Sequence, residues 1–188
     1  MTITWNNSTS WAVSAKDARS TTVGLSEFGK EVIRTMDSLK MIIDVSHVGT
    51  KTVDDILAIA KGPVIASHSG CAALNNHYRN LTDDQIRAIA ATGGVIGVVF
   101  YPPFLKSSGV VTTETVADHI DHIRNLVGMD YIALGSDFDG IEVTPVGLEN
   151  VSKFPELTKV LLRRGYTRED MRKILGENFA RVMKSVCK

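Results

Sequence analysis

Met41-Ile-Ile-Asp-Val-Ser-His47, Pro63-Val-Ile-Ala-Ser-His68 and Tyr131-Ile-Ala-Leu-Gly-Ser-Asp137 share one form. Each is a short apolar run followed at once by a side chain able to bind a metal or move a proton. A further run, Gly94-Val-Ile-Gly-Val-Val-Phe100, has the same β-branched character. None alternates strictly with polar residues, which is the pattern of parallel strands covered on both faces. Between the runs lie amphipathic stretches. Ser26 to Lys40 predicts a helix with Phe28, Val32, Met36 and Leu39 on its buried stripe, and Thr52 to Lys61 one with Val53, Ile56, Leu57 and Ala60. Thr82-Asp-Asp-Gln85 has the capping-box form ahead of Ile86 and Ile89. Thr113 to Val127 repeats the theme and ends at Gly128.

Strand and helix therefore alternate, the signature of βα units. Ile3-Thr-Trp5 reads as an additional strand at the start, and three helical pieces follow the loop around Pro145 and Gly147. A doubly wound nucleotide fold would place a glycine-rich turn between its first strand and helix, whereas Gly93, Gly94 and Gly97 sit before and inside a strand. Chemistry-bearing residues at strand ends suit the mouth of a (β/α)8 barrel instead. A whole barrel takes about 250 residues, more than the 188 here. The expected fold is thus α/β, a partial TIM-like barrel of four to five parallel strands, with residues 1–188 as one domain.

Composition narrows the partners. Lys+Arg and Asp+Glu both number 21, so no basic excess is available to neutralise a nucleic acid backbone. No stretch approaches the roughly 18 apolar residues of a membrane span. Two cysteines, Cys71 and Cys187, make no disulfide framework. With no signal-peptide pattern at Met1-Thr-Ile-Thr-Trp5, the expectation is a soluble, cytoplasmic domain.

His47 and His68 lie one βα repeat apart. Neighbouring strands are about 4.8 Å apart, so imidazoles at matching heights could reach one metal ion, zinc being well suited. The plainer alternative is two buried histidines bonded to nearby loops. Asp137, between Gly135 and Gly140, reads either as a carboxylate at the barrel mouth that handles a water or as a turn former. Arg79, in His77-Tyr-Arg-Asn80, could clamp a substrate carboxylate with two parallel bonds, although an arginine taken alone in such a loop is expected to be solvated. His119-Ile-Asp121 falls in a helical stretch, where residues two apart face away from each other, so packing explains it better than metal binding. Cys71 reads as a small buried filler and the two tryptophans, Trp5 and Trp11, as packing residues.

Taken in order, Met41-Ile-Ile-Asp-Val-Ser-His47, Ala66-Ser-His-Ser-Gly70, His77-Tyr-Arg-Asn80, Gly93-Gly-Val-Ile96, Gly135-Ser-Asp-Phe-Asp-Gly140 and Ile174-Leu-Gly-Glu-Asn-Phe-Ala-Arg-Val182 resemble the C-terminal half of the membrane (renal-type) dipeptidases, peptidase family M19. The resemblance implies a zinc-dependent dipeptidase that hydrolyses dipeptides through a metal-bound hydroxide shared by two zinc ions. By it, His47 and His68 are metal ligands, Arg79 binds the dipeptide carboxylate, and Asp137 handles the nucleophilic water or the substrate amino group. The family's His-x-Asp metal motif and its zinc-bridging glutamate have no counterpart in this sequence. Trp5 stands where the family commonly has a substrate-contacting histidine.

Two expectations follow. The site is incomplete in this chain alone, so a missing N-terminal half or a homo-oligomer is the expected partner. The opened barrel should also expose strand edges and an apolar inner face. The alternative reading is an inactive half-barrel or pseudoenzyme acting as an assembly partner. A lyase or aldolase is disfavoured because no strand end carries a lysine.

Overall fold

The computed structural model describes residues 1–187. Four parallel strands form one sheet in the order β1-β2-β3-β4: β1 (Ile43–Asp44), β2 (Val64–Ser69), β3 (Val95–Val98) and β4 (Ile132–Leu134). Helices α1 (Glu27–Ser38), α2 (Thr50–Ile59), α3 (Asp83–Ala91), the short α4 (Pro102–Leu105) and α5 (Thr113–Val127) precede or connect the strands. After β4 come α6 (Phe154–Arg163), α7 (Arg168–Arg172), a π turn at Lys173–Glu177 and α8 (Asn178–Val186). Because the strand order never reverses, each crossover advances in one direction and the connecting helices stay on one face. That is the winding of a barrel, not of a doubly wound sheet.

Alternate residues of the strands confirm the two faces. Val64, Ala66, Ile96, Val98 and Ile132 pack in one core with Ile56 of α2, Ile86 and Ile89 of α3, and Ile120 and Ile123 of α5. The intervening residues Ile65, Val95 and Ala133 form a second, smaller core with Val182 and Val186 of α8. The inner face is therefore apolar at the N-terminal ends of the strands and covered there by α8, which corrects the expectation of a bare inner face. Asn178 fixes that helix by donating to the carbonyls of Met129 and Ile132. Arg181 does the same at Gly93 and Asp130. Further up the strands the inner positions turn polar or lose their side chains: Asp44, Ser67, Gly97 and Gly135.

Several elements end where local chemistry says they should. Thr82 and Gln85 form the reciprocal cap that starts α3, and Thr167 and Asp170 do so for α7. In α1 the buried residues are Gly29, Ile33 and Met36, whereas Phe28 and Leu39 are exposed, so the stripe expected from periodicity is rotated. The cause is close packing at Gly29, where a side chain would meet the Trp11 carbonyl at 2.4 Å. Ile3-Thr-Trp5 forms no strand; the preceding residue, Thr2, makes a single parallel bridge to Asp44. Trp11 packs on the core but Trp5 is 69% exposed, so packing does not explain Trp5. Both cysteines are free, Cys71 buried and Cys187 exposed. Among the described residues, no helix is long and apolar enough to cross a membrane.

Candidate metal centre

Two local irregularities place the histidines. The β2–β3 register shifts between Ala66 and Ser69, so Ser67 and His68 together oppose Gly97. Such a bulge re-aims a side chain that strict alternation would send toward the helices. Past the end of β1 the chain turns left-handed at His47, with φ of 67°. Asp137 has φ of 62° where it ends the β4 segment, and Lys40 is the other non-glycine residue described with positive φ. Backbone strain of this kind costs about 1–3 kcal/mol per residue and collects at working sites.

The result is that His47 Nε2 and His68 Nε2 face each other at 2.8 Å, with ring centroids 4.8 Å apart. His68 Nδ1 bonds Ser67 Oγ at 2.8 Å. Ser67 Oγ donates in turn to Asp44 Oδ2 at 2.7 Å. His47 Nδ1 is buried and has no partner among the described residues. Burial, then the neighbouring Arg79 cation and His68, pushes the His47 pKa down to about 4, against the pull of Asp44. Burial and Arg79 lower His68 as well, with Asp137 and Asp44 opposing. Both rings are therefore neutral near pH 7, the state in which imidazole binds a metal.

Arg79 is buried, at 5% exposure, which overturns the expectation of a solvated arginine. Two asparagines hold its loop. Asn80 accepts from Gly70 N and donates to Asn75 O and Phe104 O, while Asn75 donates to Pro103 O and Phe104 O. The guanidinium lies 5.3 Å from the centre of the Phe104 ring, and Nη2 reaches His68 O at 3.4 Å. Its Nε is buried and has no partner among the described residues. Burial brings Arg79 down to about 10, the Asp137 and Asp44 charges opposing, so it stays cationic at neutral pH. His77 packs between Tyr78 and Phe104 and accepts from Arg79 N, a supporting role.

Asp137 begins a tight turn, with Gly140 N donating to its carbonyl. Its carboxylate accepts no side-chain bond among the described residues, yet its charge acts on His68 and Arg79. His119 is fully buried, its Nδ1 accepting from Cys71 N and its Nε2 donating to Leu105 O, so both ring nitrogens are engaged in tying two loops together. Asp44 was not singled out by sequence reasoning. The available signal was a carboxylate inside the apolar run Met41–Val45, where a buried charge demands several partners.

The donor set can be tested against zinc. Two nitrogens on a tetrahedral zinc at 2.0–2.1 Å stand about 3.3 Å apart, against 2.8 Å here. An opening of about half an ångström suffices, and the outer nitrogen of His68 is already bonded, as ligating histidines usually are. The pair fits a metal as two ligands. Among the described residues no group of three His, Cys, Asp or Glu converges.

The membrane dipeptidase (peptidase family M19) profile matches residues 1–188. A metallopeptidase from Rhodobacter sphaeroides, solved with a phosphinate mimic of the dipeptide L-Ala-D-Ala, is 30% identical with a TM-score of 0.91, over 98% of this chain and 55% of that one. An amidohydrolase from Pseudomonas aeruginosa is 32% identical with a TM-score of 0.88, over 98% and 63%. The M19 metallopeptidase dipeptidase AC is 30% identical with a TM-score of 0.90, over 97% and 56%. The chain thus spans little more than half the length of these relatives. It belongs to the membrane dipeptidase family, peptidase family M19.

Proposed function

We propose that this chain carries the histidine side of a zinc-dependent dipeptidase centre. The observation that supports this most is the meeting of His47 Nε2 and His68 Nε2 beside a buried guanidinium. His47 and His68 would hold the metal. Zinc, when bound, supplies Lewis-acid polarisation of a carbonyl and lowers the pKa of its water toward 7. Arg79 binds the C-terminal carboxylate of a dipeptide; its buried Nε, without a partner among the described residues, and its seat on Phe104 suit a fixed fork over a surface contact. Asp137 Oδ1 and Oδ2 take the proton released from the attacking water or hold the substrate amino group. The dipeptide mimic bound by the Rhodobacter sphaeroides relative supports the substrate class.

Catalytic zinc generally takes three protein ligands. We infer that the third comes from outside the described residues, on a complement that docks along the free edge of β4. A groove of about 460 Å³ lies there, lined by Ala133, Leu134, Phe154, Leu175, Phe179 and Met183. The donor count also favours a second reading, an inactive half-barrel that serves only as an assembly partner.

Zinc competition against a chelator tests the first reading on the purified chain, compared with His47→Ala and His68→Ala. Mixing the chain with the unmatched part of the Rhodobacter sphaeroides relative then tests hydrolysis of L-Ala-D-Ala. Zinc uptake lost in either variant, with turnover only in the mixture, is the expected result. Zinc uptake indifferent to both substitutions overturns the metal assignment, and zinc uptake without turnover in the mixture selects the assembly reading.

A further inference from the structure

We infer that Asp44, acting through Ser67, fixes the proton of His68 on Nδ1 and so keeps its Nε2 lone pair aimed at the metal position. The inference rests on the proposed role of His68 as a ligand, and extends it to two residues that do not touch the metal themselves.

Asp44 is buried, and four donors converge on its carboxylate. Oδ1 accepts from Ser46 N at 3.0 Å and Ser67 N at 2.9 Å. Oδ2 accepts from Thr2 Oγ1 at 2.8 Å and Ser67 Oγ at 2.7 Å. A carboxylate can only accept, and a serine hydroxyl owns one proton. That proton must lie between Ser67 Oγ and Asp44 Oδ2, since the reverse would press two oxygen lone pairs together at 2.7 Å. Ser67 Oγ then has only lone pairs to offer His68 Nδ1 at 2.8 Å, and His68 must donate from Nδ1. Its Nε2 is left bare. That lone pair can accept from His47 Nε2–H at 2.8 Å, which then leaves bare the buried His47 Nδ1, an atom with no partner among the described residues. His68 is thus preset as a ligand, with Nε2 the atom that would hold the metal.

The same carboxylate also holds the bulge in place. Its Oδ1 takes the backbone N–H of Ser67 at the point where the β2–β3 register slips. Ser46 Oγ reinforces the join by accepting from His68 N at 2.9 Å. Asp44 is therefore a positioning residue for both the direction and the tautomer of His68.

Long-range ¹H–¹⁵N spectra of the metal-free chain labelled with ¹⁵N-histidine read the tautomer directly, His68 being assigned by its loss in His68→Gln. The wild type should show His68 protonated on Nδ1. In Asp44→Asn the amide oxygen can keep the two backbone donors while Nδ2 turns toward Ser67. The serine proton then swings to His68 Nδ1, and the tautomer should flip to Nε2–H. Ser67→Ala should give a mixture, and Ser67→Thr, which restores the hydroxyl, should return the wild-type pattern. Zinc affinity in Asp44→Asn should fall about 10- to 100-fold. Should Asp44→Asn fail to fold, the Ser67→Ala and Ser67→Thr pair carries the test alone. A wild-type His68 protonated on Nε2, or a tautomer indifferent to these substitutions, overturns the inference. The expected spectra in a chain that binds no zinc would keep it and instead refute the metal reading.

Discussion

Gly135→Ala probes how tightly the strand ends are built around the histidine pair. A Cβ at Gly135 would lie 2.0 Å from Ser67 O and 3.0 Å from His68 Cα, both backbone atoms. Ordinary contact between a methyl carbon and a carbonyl oxygen is about 3.3 Å, so one chain must retreat by roughly 1 Å. Overpacking of this kind costs about 1–3 kcal/mol, and the upper end applies because neither neighbour is a flexible side chain. For a domain of this size each kcal/mol lowers Tm by about 2–4 °C. The displaced segment is the bulge that aims His68, so the 2.8 Å contact with His47 should break as well. Urea melts should show a lower midpoint at unchanged slope, and the His68 ring resonances should shift. Gly62→Ala is the control, since its new methyl would meet only Asp37 Oδ1 at 3.6 Å. A Gly135→Ala chain as stable as the Gly62→Ala control, with unmoved His68 resonances, would refute the close-packing argument.

Three further outcomes are expected. Asn80→Ala removes partners from Gly70 N, Asn75 O and Phe104 O, which should cost about 2–3 kcal/mol in a urea melt and free the Arg79 loop to faster hydrogen exchange. Burial lowers the His119 pKa, the Leu105 bond opposing, so the unfolded chain binds this proton first as pH falls below about 6.5. Stability should then decline with acidification through that range, more in the wild type than in His119→Gln, as read by urea midpoints at pH 7.5 and 5.5. Arg164 pairs with Glu114, Asp118 and Asp121 between α5 and α6, and its side chain is 24% exposed. Arg164→Met should cost only about 1 kcal/mol at low salt and less in 1 M salt, because screened, partly wet pairs contribute little.

Much of this molecule was legible in one dimension. Helix starts are local contracts between residues three apart, so Thr82 with Gln85 announced α3. The 3.6-residue spacing from Thr113 to Val127 delimited α5 as found. β-branched runs followed by His47, His68 and Asp137 located the strand ends, because strand direction and chain order alone put such residues at one end of a parallel sheet. The choice between barrel and doubly wound sheet followed from where the glycines fall. Periodicity was a poorer guide in α1, where close approach of the Trp11 backbone to Gly29 decides which side turns inward.

What only the tertiary structure decided concerns residues distant in sequence. Ser67 and His68 bulge because β3 offers one residue, Gly97, opposite two, and a register slip between strands has no signature within either. Asp44 works because Thr2 and Ser67, from two other segments, bring it three of its four donors. Arg79 is buried because Asn75 and Asn80 pull its loop onto α4, against what an isolated arginine would do. The inner face is covered because a helix some fifty residues beyond β4 returns to it. Short-range sterics and hydrogen bonds write themselves into neighbouring letters, whereas hydrogen-bond satisfaction and burial are set by whichever distant segment the fold brings alongside.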